Sequence, residues 1–593
     1  MPDLRAAPTL NALWAGLLVE ELVRQGVGLF CLAPGSRSTP LTLAVAAHPT
    51  ARYLMHFDER GTAFAALGYA RATGKPAVWI TTSGTAVANG LPAAVEADED
   101  GVPLILLTAD RPPELRDTAA NQTVRQPELF APFARYRNDL AVPTAAIDPA
   151  YVLTTVAQAV ARALGPDAGP VHLNAPFREP LAPVPDGSIP TGYLDGLAHW
   201  LDGDRPYTRY VAATGCPADA YLADLAQRLR RHERGLVVAG RLHTAAEGAA
   251  ARRIADHLGW PLVADVGSQV RLGLGDGAVA HADLVLSSDA FRETHRPDAV
   301  LYLGGRALSK KLGQLLADAR PDPLAVVRPD GRRFDPDHVV TDRVQADVEA
   351  FAEALVSGSA AAAASSDWLA SWRRAETAVR ASLRRELDDG PSELTEPQVA
   401  RLVTLHLPEN SGIVLAASMP VRDADLFGAT DGPRVPVAMN RGASGIDGTV
   451  ATAAGFARGL GQPVTLLIGD LALLHDLNSL ALLRQDGQPP VVVVAVNNDG
   501  GGIFHFLPVA GHERFEGLFG TPHGLGFEHA AQLFGLDYAQ PDSTVAFRDA
   551  FLAAHASGRS ALIEVRTERE ANRALHADLR ARAAAAVDQA MGP

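Results

Sequence analysis

The chain has 593 residues, of which 47% are hydrophobic and 20% charged, a composition typical of globular proteins. Its formal net charge of −15 argues against nucleic acid as a binding partner, because such partners are bound by clusters of basic residues. Only Cys31 and Cys216 occur, so the chain has neither a disulfide framework nor a thiolate zinc site.

The sequence shows no targeting or membrane signal. Its N-terminal residues lack the basic start, apolar core and cleavage site of a signal peptide. No apolar run reaches the ~20 residues that a membrane-spanning helix needs. We therefore expect a soluble cytoplasmic protein.

At about 150 residues per domain, the length predicts three or four domains.

The first block of the chain alternates strand and helix patterns. Apolar runs predict strands at 27–33, 53–55, 77–81, 104–108 and 171–173, and helical periodicity predicts helices at 10–25 and 62–72. Strands that alternate with helices form parallel sheets covered on both faces. A proline-rich stretch at 176–190 closes this block, which we place at residues 1–190.

Two further α/β blocks follow. Predicted strands lie at 235–239, 261–264, 284–287, 299–303 and 324–327 in the second block (205–357), and at 413–416, 464–468, 490–496 and 561–565 in the third (391–593). An Ala/Ser-rich linker at 357–366 and an amphipathic helix at 368–387 connect them, within residues 358–390. The predicted fold is α/β, with three consecutive doubly wound parallel-sheet domains. The first and third blocks share length and strand spacing, as related cofactor-binding domains would.

Polar residues follow two predicted strands of the third block. Gly469 and Asp470 follow strand 464–468, and Asn498 and Gly500 follow strand 490–496. Open α/β sheets bind ligands at the carboxyl ends of their strands. Carboxylate, amide and carbonyl oxygens suit Mg²⁺, and glycines let the backbone approach a diphosphate. An ordinary strand-helix-strand unit with polar turns explains this stretch equally well.

This stretch resembles the metal-diphosphate motif of thiamine diphosphate (ThDP) enzymes, in which Gly-Asp-Gly is followed, one helix and one strand later, by Asn-Asn. Here Leu471 replaces the second glycine. The resemblance implies that Gly469, Asp470, Leu471, Asn498 and Gly500 contact the cofactor. It also implies that Asp470, Asn498 and the Gly500 carbonyl bind Mg²⁺, with Mn²⁺ as an alternative ion.

ThDP catalysis needs two further groups from the protein: a carboxyl group at the aminopyrimidine ring and an apolar side chain that keeps the cofactor bent. Glu59, at the start of a predicted helix, is the candidate for the first, since burial against a ring would raise the pKa of its carboxyl. Ile446, in the Gly-rich turn 440–448, is the candidate for the second. The competing interpretations are a carboxylate that complements the helix dipole and an ordinary core isoleucine.

Several motifs together resemble one family of ThDP enzymes, the 2-succinyl-5-enolpyruvyl-6-hydroxy-3-cyclohexene-1-carboxylate (SEPHCHC) synthases of menaquinone biosynthesis. The matching segments are 33–41, 56–61, 108–115, 121–122, 440–448 and 501–504. The resemblance covers nearly the whole chain and is weakest between residues 185 and 300. It also explains Leu471, because the sequence of this family at that place is similar to Gly-Asp-Leu. It implies pyrimidine-binding, central and diphosphate-binding domains. It also implies cofactor contacts by Thr82, Ser83, Gly84, Ser444, Gly445 and Ile503.

The same resemblance implies a reaction, in which 2-oxoglutarate loses CO₂ and the resulting succinyl carbanion adds to isochorismate. Both substrates carry carboxylates. Arginine is suited to binding them, because its guanidinium can donate two parallel hydrogen bonds to one carboxylate. The residues that match the family's substrate contacts are Ser36, Arg37, Arg111, Gln122, Lys310, Lys311, Ser418, Arg422, Arg441, Ile503 and Phe504. For any single arginine, a surface ion pair is the competing interpretation. The family also implies a homodimer or homotetramer with active sites at the subunit interface.

Three other functions compete with this one. Another ThDP-dependent decarboxylase, or an acetolactate-type synthase, would share Glu59 and the metal motif, but the basic residues suit a dicarboxylate better than pyruvate. A catalytically inactive regulatory subunit would not need Glu59, Asp470 and Asn498 together. A nucleotide-binding Rossmann protein would carry Gly-x-Gly-x-x-Gly after the first strand, and Ala33-Pro34-Gly35-Ser36 differs from that motif.

Overall fold

The computed structural model describes residues 3–211, 215–358, 367–390 and 393–592. These residues form two compact units, and each is described by itself. Unit 1 comprises the described residues of Met1–Ala213, Asn440–Gly461 and His475–Gln488, and unit 2 comprises those of Thr214–Met439, Gln462–Leu474 and Pro489–Pro593. Among the described helices, none combines the length and the apolar character that crossing a membrane requires.

The strands are short and mostly apolar. They are β1 (Leu29–Leu32), β2 (Tyr53–Met55), β3 (Ala77–Thr81), β4 (Leu104–Asp110), β5 (Tyr136–Asp139), β6 (Val171–Pro176), β7 (Gly235–Ala239), β8 (Leu262–Ala264), β9 (Ala299–Leu303), β10 (Leu324–Arg328), β11 (Asp342–Gln345), β12 (Gly412–Leu415), β13 (Val437–Met439), β14 (Val464–Gly469), β15 (Val491–Asn497), β16 (Asp537–Ala539) and β17 (Ala561–Arg566).

Helices separate most of these strands along the chain. They are α1 (Leu10–Arg24), α2 (Thr39–Ala47), α3 (Glu59–Thr73), α4 (Thr85–Ala88), α5 (Leu91–Asp100), α6 (Ala150–Leu164), α7 (Ala198–Leu201), α8 (Asp219–Leu229), α9 (Ala245–Leu258), α10 (Ala282–Val285), α11 (Asp289–Thr294), α12 (Lys310–Ala319), α13 (Val348–Ser357), α14 (Asp367–Leu383), α15 (Glu396–His406), α16 (Met419–Phe427), α17 (Thr449–Leu460), α18 (Asp470–His475), α19 (Glu528–Phe534), α20 (Thr544–Ala556) and α21 (Arg569–Met591).

Within the described ranges the strands form three parallel sheets, which confirms the predicted fold class. Their strand orders are β2-β1-β3-β4-β6-β5 in unit 1, and β11-β10-β9-β7-β8 and β13-β12-β14-β15-β17-β16 in unit 2. The first and third sheets have the same order when their strands are counted along the chain. Two sheets of one topology agree with the predicted pair of related cofactor-binding domains.

The middle sheet shows why its strands read as continuous apolar runs. Neighbouring residues alternate between two separate apolar clusters, with Val237 and Leu301 on one face and Leu236 and Val300 on the other. Successive side chains of a strand point to opposite faces, so a sheet covered by helices on both sides needs apolar residues at every position.

One predicted strand is wrong, and several strands were not predicted. Residues 284–287 do not form a strand, because Leu284 and Val285 belong to α10, whose residues are buried on all sides. A short apolar run does not distinguish a buried helix from a strand.

The strands that were missed, β5, β11, β13 and β16, all lie at the edges of their sheets. Most of them carry exposed polar residues, which weakens the apolar pattern.

The predicted connecting helix is α14, which continues into one wider turn at Arg384–Asp388. Most of the predicted linker, residues 359–366, lies outside the described residues. The predicted domain limits at 190, 205, 357 and 391 stay predictions.

Candidate functional site

Asp470 lies where the sequence predicted a metal ligand, directly after β14, and only 2% of its surface is exposed. Its Oδ2 accepts a hydrogen bond of 2.8 Å from the backbone N–H of Gly500, which follows the neighbouring strand β15. Burial raises the pKa of Asp470, while the Gly500 N–H and His523 act in the opposite direction. The structure therefore brings two of the three predicted metal ligands together at the carboxyl ends of adjacent strands.

Asn498, the third predicted ligand, is 8% exposed and has one unused polar atom. Its Nδ2 donates to Glu396 at 2.8 Å, whereas its Oδ1 is buried and has no hydrogen-bond partner among the described residues. Burial, with Asp423 nearby, raises the pKa of Glu396 to about 8. A buried oxygen without a hydrogen-bond donor costs free energy, unless a bound ligand interacts with it.

The backbone around Gly500 requires glycine. Gly500 has a φ of +134°, and a Cβ atom there would lie 2.0 Å from the carbonyl oxygen of Gly520. One carboxylate, one free amide oxygen and a close backbone fit Mg²⁺, which takes the rest of its shell from phosphate and water. The described residues contain no group of three His, Cys, Asp or Glu side chains that would hold a metal without such ligands.

His523 is a neighbour of this site that the sequence did not indicate. Its Nε2 lies 3.1 Å from Oδ2 of Asp470. Asp499 holds it there, because Oδ1 of Asp499 accepts from the backbone N–H groups of His523 at 2.9 Å and Gly524 at 2.7 Å. No local pattern connects the two segments, so only the folded chain reveals this contact.

Glu59 is the first residue of α3 and is half-buried. Asp58 caps this helix, since its side chain accepts from the backbone N–H groups of Arg60 and Gly61.

Within unit 1, α3 packs closely against α17. A Cβ atom on Gly68 would lie 2.1 Å from the carbonyl oxygen of Thr452, and one on Gly455 would lie 1.9 Å from that of Ala65. Glycine at both positions allows the two backbones to touch.

This helix pair also positions the segment that carries Ile446. A Cβ atom on Gly448, just before α17, would lie 2.0 Å from Phe64, so α3 and α17 begin at the same end of the pair. Ile446 is half-buried, and its role in supporting the cofactor stays a prediction. Arg441 and Gly445 are half-buried on the same segment, and Ser444 is exposed with a φ of 63°.

Glu96 fixes the segment from α5 and was missed by the sequence analysis. Its carboxylate accepts from the backbone N–H groups of Gly442 at 2.9 Å and Ala443 at 2.7 Å. Arg71 pairs with the same carboxylate at 2.7 Å. In the sequence Glu96 is one of several acids near the end of a helix, and nothing there indicates its target.

A second cluster in unit 1 contains predicted residues from four segments. The backbone N–H of Arg37 donates to the Thr82 hydroxyl at 3.3 Å, and the Arg111 guanidinium donates to the Ser83 hydroxyl. Nε2 of Gln122 donates to the Ser83 carbonyl at 2.8 Å.

Close packing completes this cluster. A Cβ atom on Gly84 would lie 2.7 Å from Cγ of Gln122, while Ser36 is exposed beside Arg37. Burial lowers the pKa of Arg111, and the charge of Arg37 adds to that effect. The guanidinium of Arg37 donates to the Phe177 carbonyl at 3.0 Å and to Glu179 at 3.3 Å.

In unit 2, Ser418 and Arg422 are in contact. The Arg422 guanidinium donates to the Ser418 carbonyl, and Ser418, with a φ of 71°, precedes α16. Burial lowers the pKa of Arg422, which the neighbouring Asp423 opposes.

The predicted apolar wall lies in a short helical turn, Gly502–Phe506. Ile503 and Phe504 are half-buried there, and the Phe504 ring lies 5.7 Å from the ring of Phe519. Leu471 and Gly469 are half-buried on either side of Asp470.

Lys310 and Lys311 begin α12 in the middle sheet region of unit 2. Lys310 is exposed and lines a cavity of about 790 Å³ together with Arg306 and Arg333. The backbone N–H of Lys311 donates to Asp283 at 3.4 Å. The substrate-binding roles of the two lysines, like those of the other site residues, stay predictions.

Family models and related proteins agree with these motifs. A model described as the N-terminal TPP binding domain of thiamine pyrophosphate enzymes matches residues 14–129, one described as the middle domain of thiamine pyrophosphate matches 191–415, and one described as the C-terminal TPP binding domain matches 424–565. Three curated relatives are all named SEPHCHC synthase.

The relative from Rubrobacter xylanophilus is 56% identical over 96% of this chain and 98% of its own length. The relative from Salinibacter ruber is 53% identical over 98% of both chains. The relative from Prosthecochloris aestuarii is 42% identical over 96% of this chain and 97% of its own length. Identity at this level over nearly the full length shows that the chain belongs to the SEPHCHC synthase family of ThDP-dependent enzymes.

Proposed function

We propose that this protein decarboxylates 2-oxoglutarate and transfers the remaining four-carbon unit to isochorismate, giving SEPHCHC and CO₂ in menaquinone biosynthesis. The relatives' names motivate the proposal. The observation that carries it is the arrangement after β14 and β15, where Asp470 contacts Gly500 and the buried Oδ1 of Asn498 has no partner among the described residues. That arrangement favours a bound cation and diphosphate over a structural turn.

The cofactor we propose is ThDP with Mg²⁺, and Mn²⁺ is an alternative ion. Bound ThDP supplies the carbon nucleophile and the electron sink that decarboxylation needs. Asp470, Asn498 and the Gly500 carbonyl would hold the metal, and the glycines beside them would admit the diphosphate. Glu59 would share a proton with the aminopyrimidine ring, and Ile446 would support the bent cofactor.

Basic side chains would recognise the substrate carboxylates. Arg37, Arg111, Arg422 and Arg441 are the main candidates, with Lys310 and Lys311. Nε of Arg37 is buried without a hydrogen-bond partner in the part of the chain that the structure describes. Burial lowers the pKa of Arg111 and Arg422, as expected for cations kept partly out of water. Ser36, Gln122 and Ser418 would add polar contacts, and Ile503 and Phe504 would form an apolar wall.

We also propose a homodimer or homotetramer with active sites at the subunit interface, as the family resemblance implies. Light scattering of the purified protein measures the assembly directly, and a monomer that is fully active would contradict this part of the proposal. The cytoplasmic location expected from the sequence remains a prediction.

The deciding experiment is an assay of the full-length protein with ThDP, Mg²⁺, 2-oxoglutarate and isochorismate. We expect loss of isochorismate absorbance, release of CO₂ and a product with the mass of SEPHCHC. Parallel reactions that omit ThDP, Mg²⁺ or one substrate should show no product. A parallel reaction with pyruvate tests the nearest alternative, because a protein that condenses pyruvate and leaves isochorismate unchanged is an acetolactate-type synthase.

A further inference from the structure

We propose that Glu396 is a positioning residue that sets the orientation of the Asn498 side-chain amide, so that its oxygen rather than its nitrogen faces the bound cation. This inference rests on the proposed function, because it concerns the same metal site. Glu396 is not part of the metal-diphosphate motif, and it lies more than a hundred residues before Asn498 in the chain.

The geometry links three segments of unit 2 at one carboxyl oxygen. Glu396 is the first residue of α15 and is 2% exposed. Its Oε1 accepts from Nδ2 of Asn498 at 2.8 Å and from the hydroxyl of Thr567 at 3.0 Å. Thr567 follows β17, and its backbone N–H donates to the Asn497 carbonyl at 3.1 Å. The acceptor is therefore fixed relative to the turn after β15.

The chemistry of the amide makes this contact selective. The two ends of an asparagine amide have nearly the same shape, so hydrogen bonds decide which end points in which direction. With Nδ2 toward Glu396, Oδ1 points away from it and is buried without a partner among the described residues. Oε1 of Glu396 also accepts from the Thr567 hydroxyl, so it faces Asn498 as an acceptor. In the flipped orientation two acceptor oxygens would face each other there, and an NH₂ group, which does not bind cations, would point where Oδ1 now points.

The acceptor role of Glu396 does not require a negative charge. A carboxyl oxygen that receives two hydrogen bonds accepts them in the ionised form, and also in the neutral form with the proton on the other oxygen. The position of Glu396 at the start of α15 also predicts a competing role, because an acid in the first turn of a helix stabilises the helix dipole. The two roles predict different effects of substitution.

Three variants of the full-length protein separate these roles. Glu396→Met has similar length but no acceptor, Glu396→Gln keeps an acceptor oxygen without an ionisable group, and Glu396→Asp keeps the carboxyl group but withdraws the oxygen from Asn498. Calorimetric titration with ThDP at a series of Mg²⁺ concentrations measures cofactor binding without any turnover. Thermal unfolding in the absence of ThDP and Mg²⁺ shows whether each variant is folded.

We expect Glu396→Met and Glu396→Asp to require about ten- to a hundredfold more Mg²⁺ for half-maximal ThDP binding, the usual effect of losing a residue that orients a metal ligand. Glu396→Gln should bind as the parent does, because the Thr567 hydroxyl donates to the side-chain oxygen and so keeps that oxygen toward Asn498. In a background of Asn498→Ala, Glu396→Met should cause no further loss, because the amide it orients is absent.

Three results would overturn the inference: parent-like Mg²⁺ dependence in Glu396→Met, full retention in Glu396→Asp, or a loss from Glu396→Met that persists undiminished in the Asn498→Ala background. The second result would assign Glu396 to helix stabilisation. A parent protein that binds ThDP without any dependence on Mg²⁺ would instead refute the metal site of the proposed function, and the inference with it.

Discussion

The carboxylate of Glu96 accepts a hydrogen bond of 2.7 Å from the backbone N–H of Ala443, and so joins α5 to the segment that carries Arg441 and Ile446. Arg71 binds the same carboxylate, and burial raises the pKa of Glu96 although Arg71 acts against that rise. An acidic residue far away in the sequence thus contacts the backbone of a segment with two predicted site residues.

Replacing Glu96 with alanine should therefore affect both stability and cofactor binding. The change leaves Arg71 buried without this partner and two backbone N–H groups without an acceptor, which we expect to destabilise the fold by roughly 3 kcal/mol. Denaturant unfolding and ThDP titration measure the two effects. Glu99→Ala, on the exposed side of α5, is the matched control. Parent-like values for Glu96→Ala in both measurements would show that the segment holds its conformation alone.

Asp470→Ala should abolish Mg²⁺-dependent ThDP binding, because the site loses its anionic ligand and the acceptor for the Gly500 N–H. Calorimetry with ThDP and Mg²⁺ provides the measurement. Asp486→Ala, which removes an exposed carboxylate, is the control and should bind as the parent does. Unchanged ThDP affinity in Asp470→Ala would mean that the cofactor's metal lies elsewhere.

Glu59→Gln keeps the size of the side chain but removes its ability to share a proton. We expect ThDP to bind and turnover to fall by roughly two to four orders of magnitude, the usual effect of a positioned acid-base group. Exchange of the C2 proton of bound ThDP, followed by NMR, tests this step without the substrates. If the variant exchanged that proton as fast as the parent, Glu59 would not be the activating carboxyl.

Arg422→Ala should weaken substrate recognition and leave cofactor binding unchanged. A charge-assisted hydrogen bond is typically worth about 1.5–3 kcal/mol, so kcat/KM for 2-oxoglutarate should fall roughly ten- to a hundredfold. Arg37→Ala should act in the same direction, with a loss of stability because Arg37 also donates to the Phe177 carbonyl.

The control for the arginine variants is Arg559→Ala, which removes an exposed arginine paired with Asp537. It should have parent-like kinetics. The parent should also prefer 2-oxoglutarate strongly over pyruvate, because the smaller acid leaves a cationic donor unpaired. Equal kcat/KM values in Arg422→Ala and the parent would remove Arg422 from the substrate site.

Histidine burial predicts acid sensitivity of the first sheet. Burial lowers the pKa of His172 on β6 to about 3, and Arg137 adds to that effect. The unfolded chain, with an ordinary histidine pKa of about 6.5, binds the proton first as the pH falls. The stabilisation by neutral His172 is therefore complete above pH ~6.5 and decreases below it, by roughly 2 kcal/mol at pH 5.

The difference in Tm between pH 7 and pH 5 measures this effect. His172→Gln retains a polar partner for the Thr108 hydroxyl, which lies 2.8 Å from Nε2 of His172, but does not titrate. Its Tm should fall less between the two pH values than that of the parent. His243→Gln, at an exposed position, is the matched control. An equal pH effect in parent and His172→Gln would contradict the prediction.

The sequence by itself determined the fold class, most of the central strands and the metal-diphosphate motif. Strands buried on both faces need apolar residues at every position, so β3, β7 and β9 were predicted with the limits that the structure has. Asp470 and Asn498 were expected near each other because the carboxyl ends of neighbouring parallel strands meet at one edge of a sheet, and the structure has both residues at the ends of β14 and β15. Their metal-binding role stays a prediction. These features depend on residues that are close in the chain.

Only the tertiary structure decided four of the edge strands (β5, β11, β13 and β16), the helical state of residues 284–287, and the partners of the site residues. Of these four strands, β5, β11 and β16 are partly exposed and carry polar residues, so their sequences have little apolar pattern. The buried run in α10 is compatible with either secondary structure. The contacts of Glu96 with Ala443, Glu396 with Asn498 and His523 with Asp470 join segments that are distant in the chain. Such contacts leave no local pattern, because a carboxylate or imidazole is identified as a partner only when folding places it beside its target.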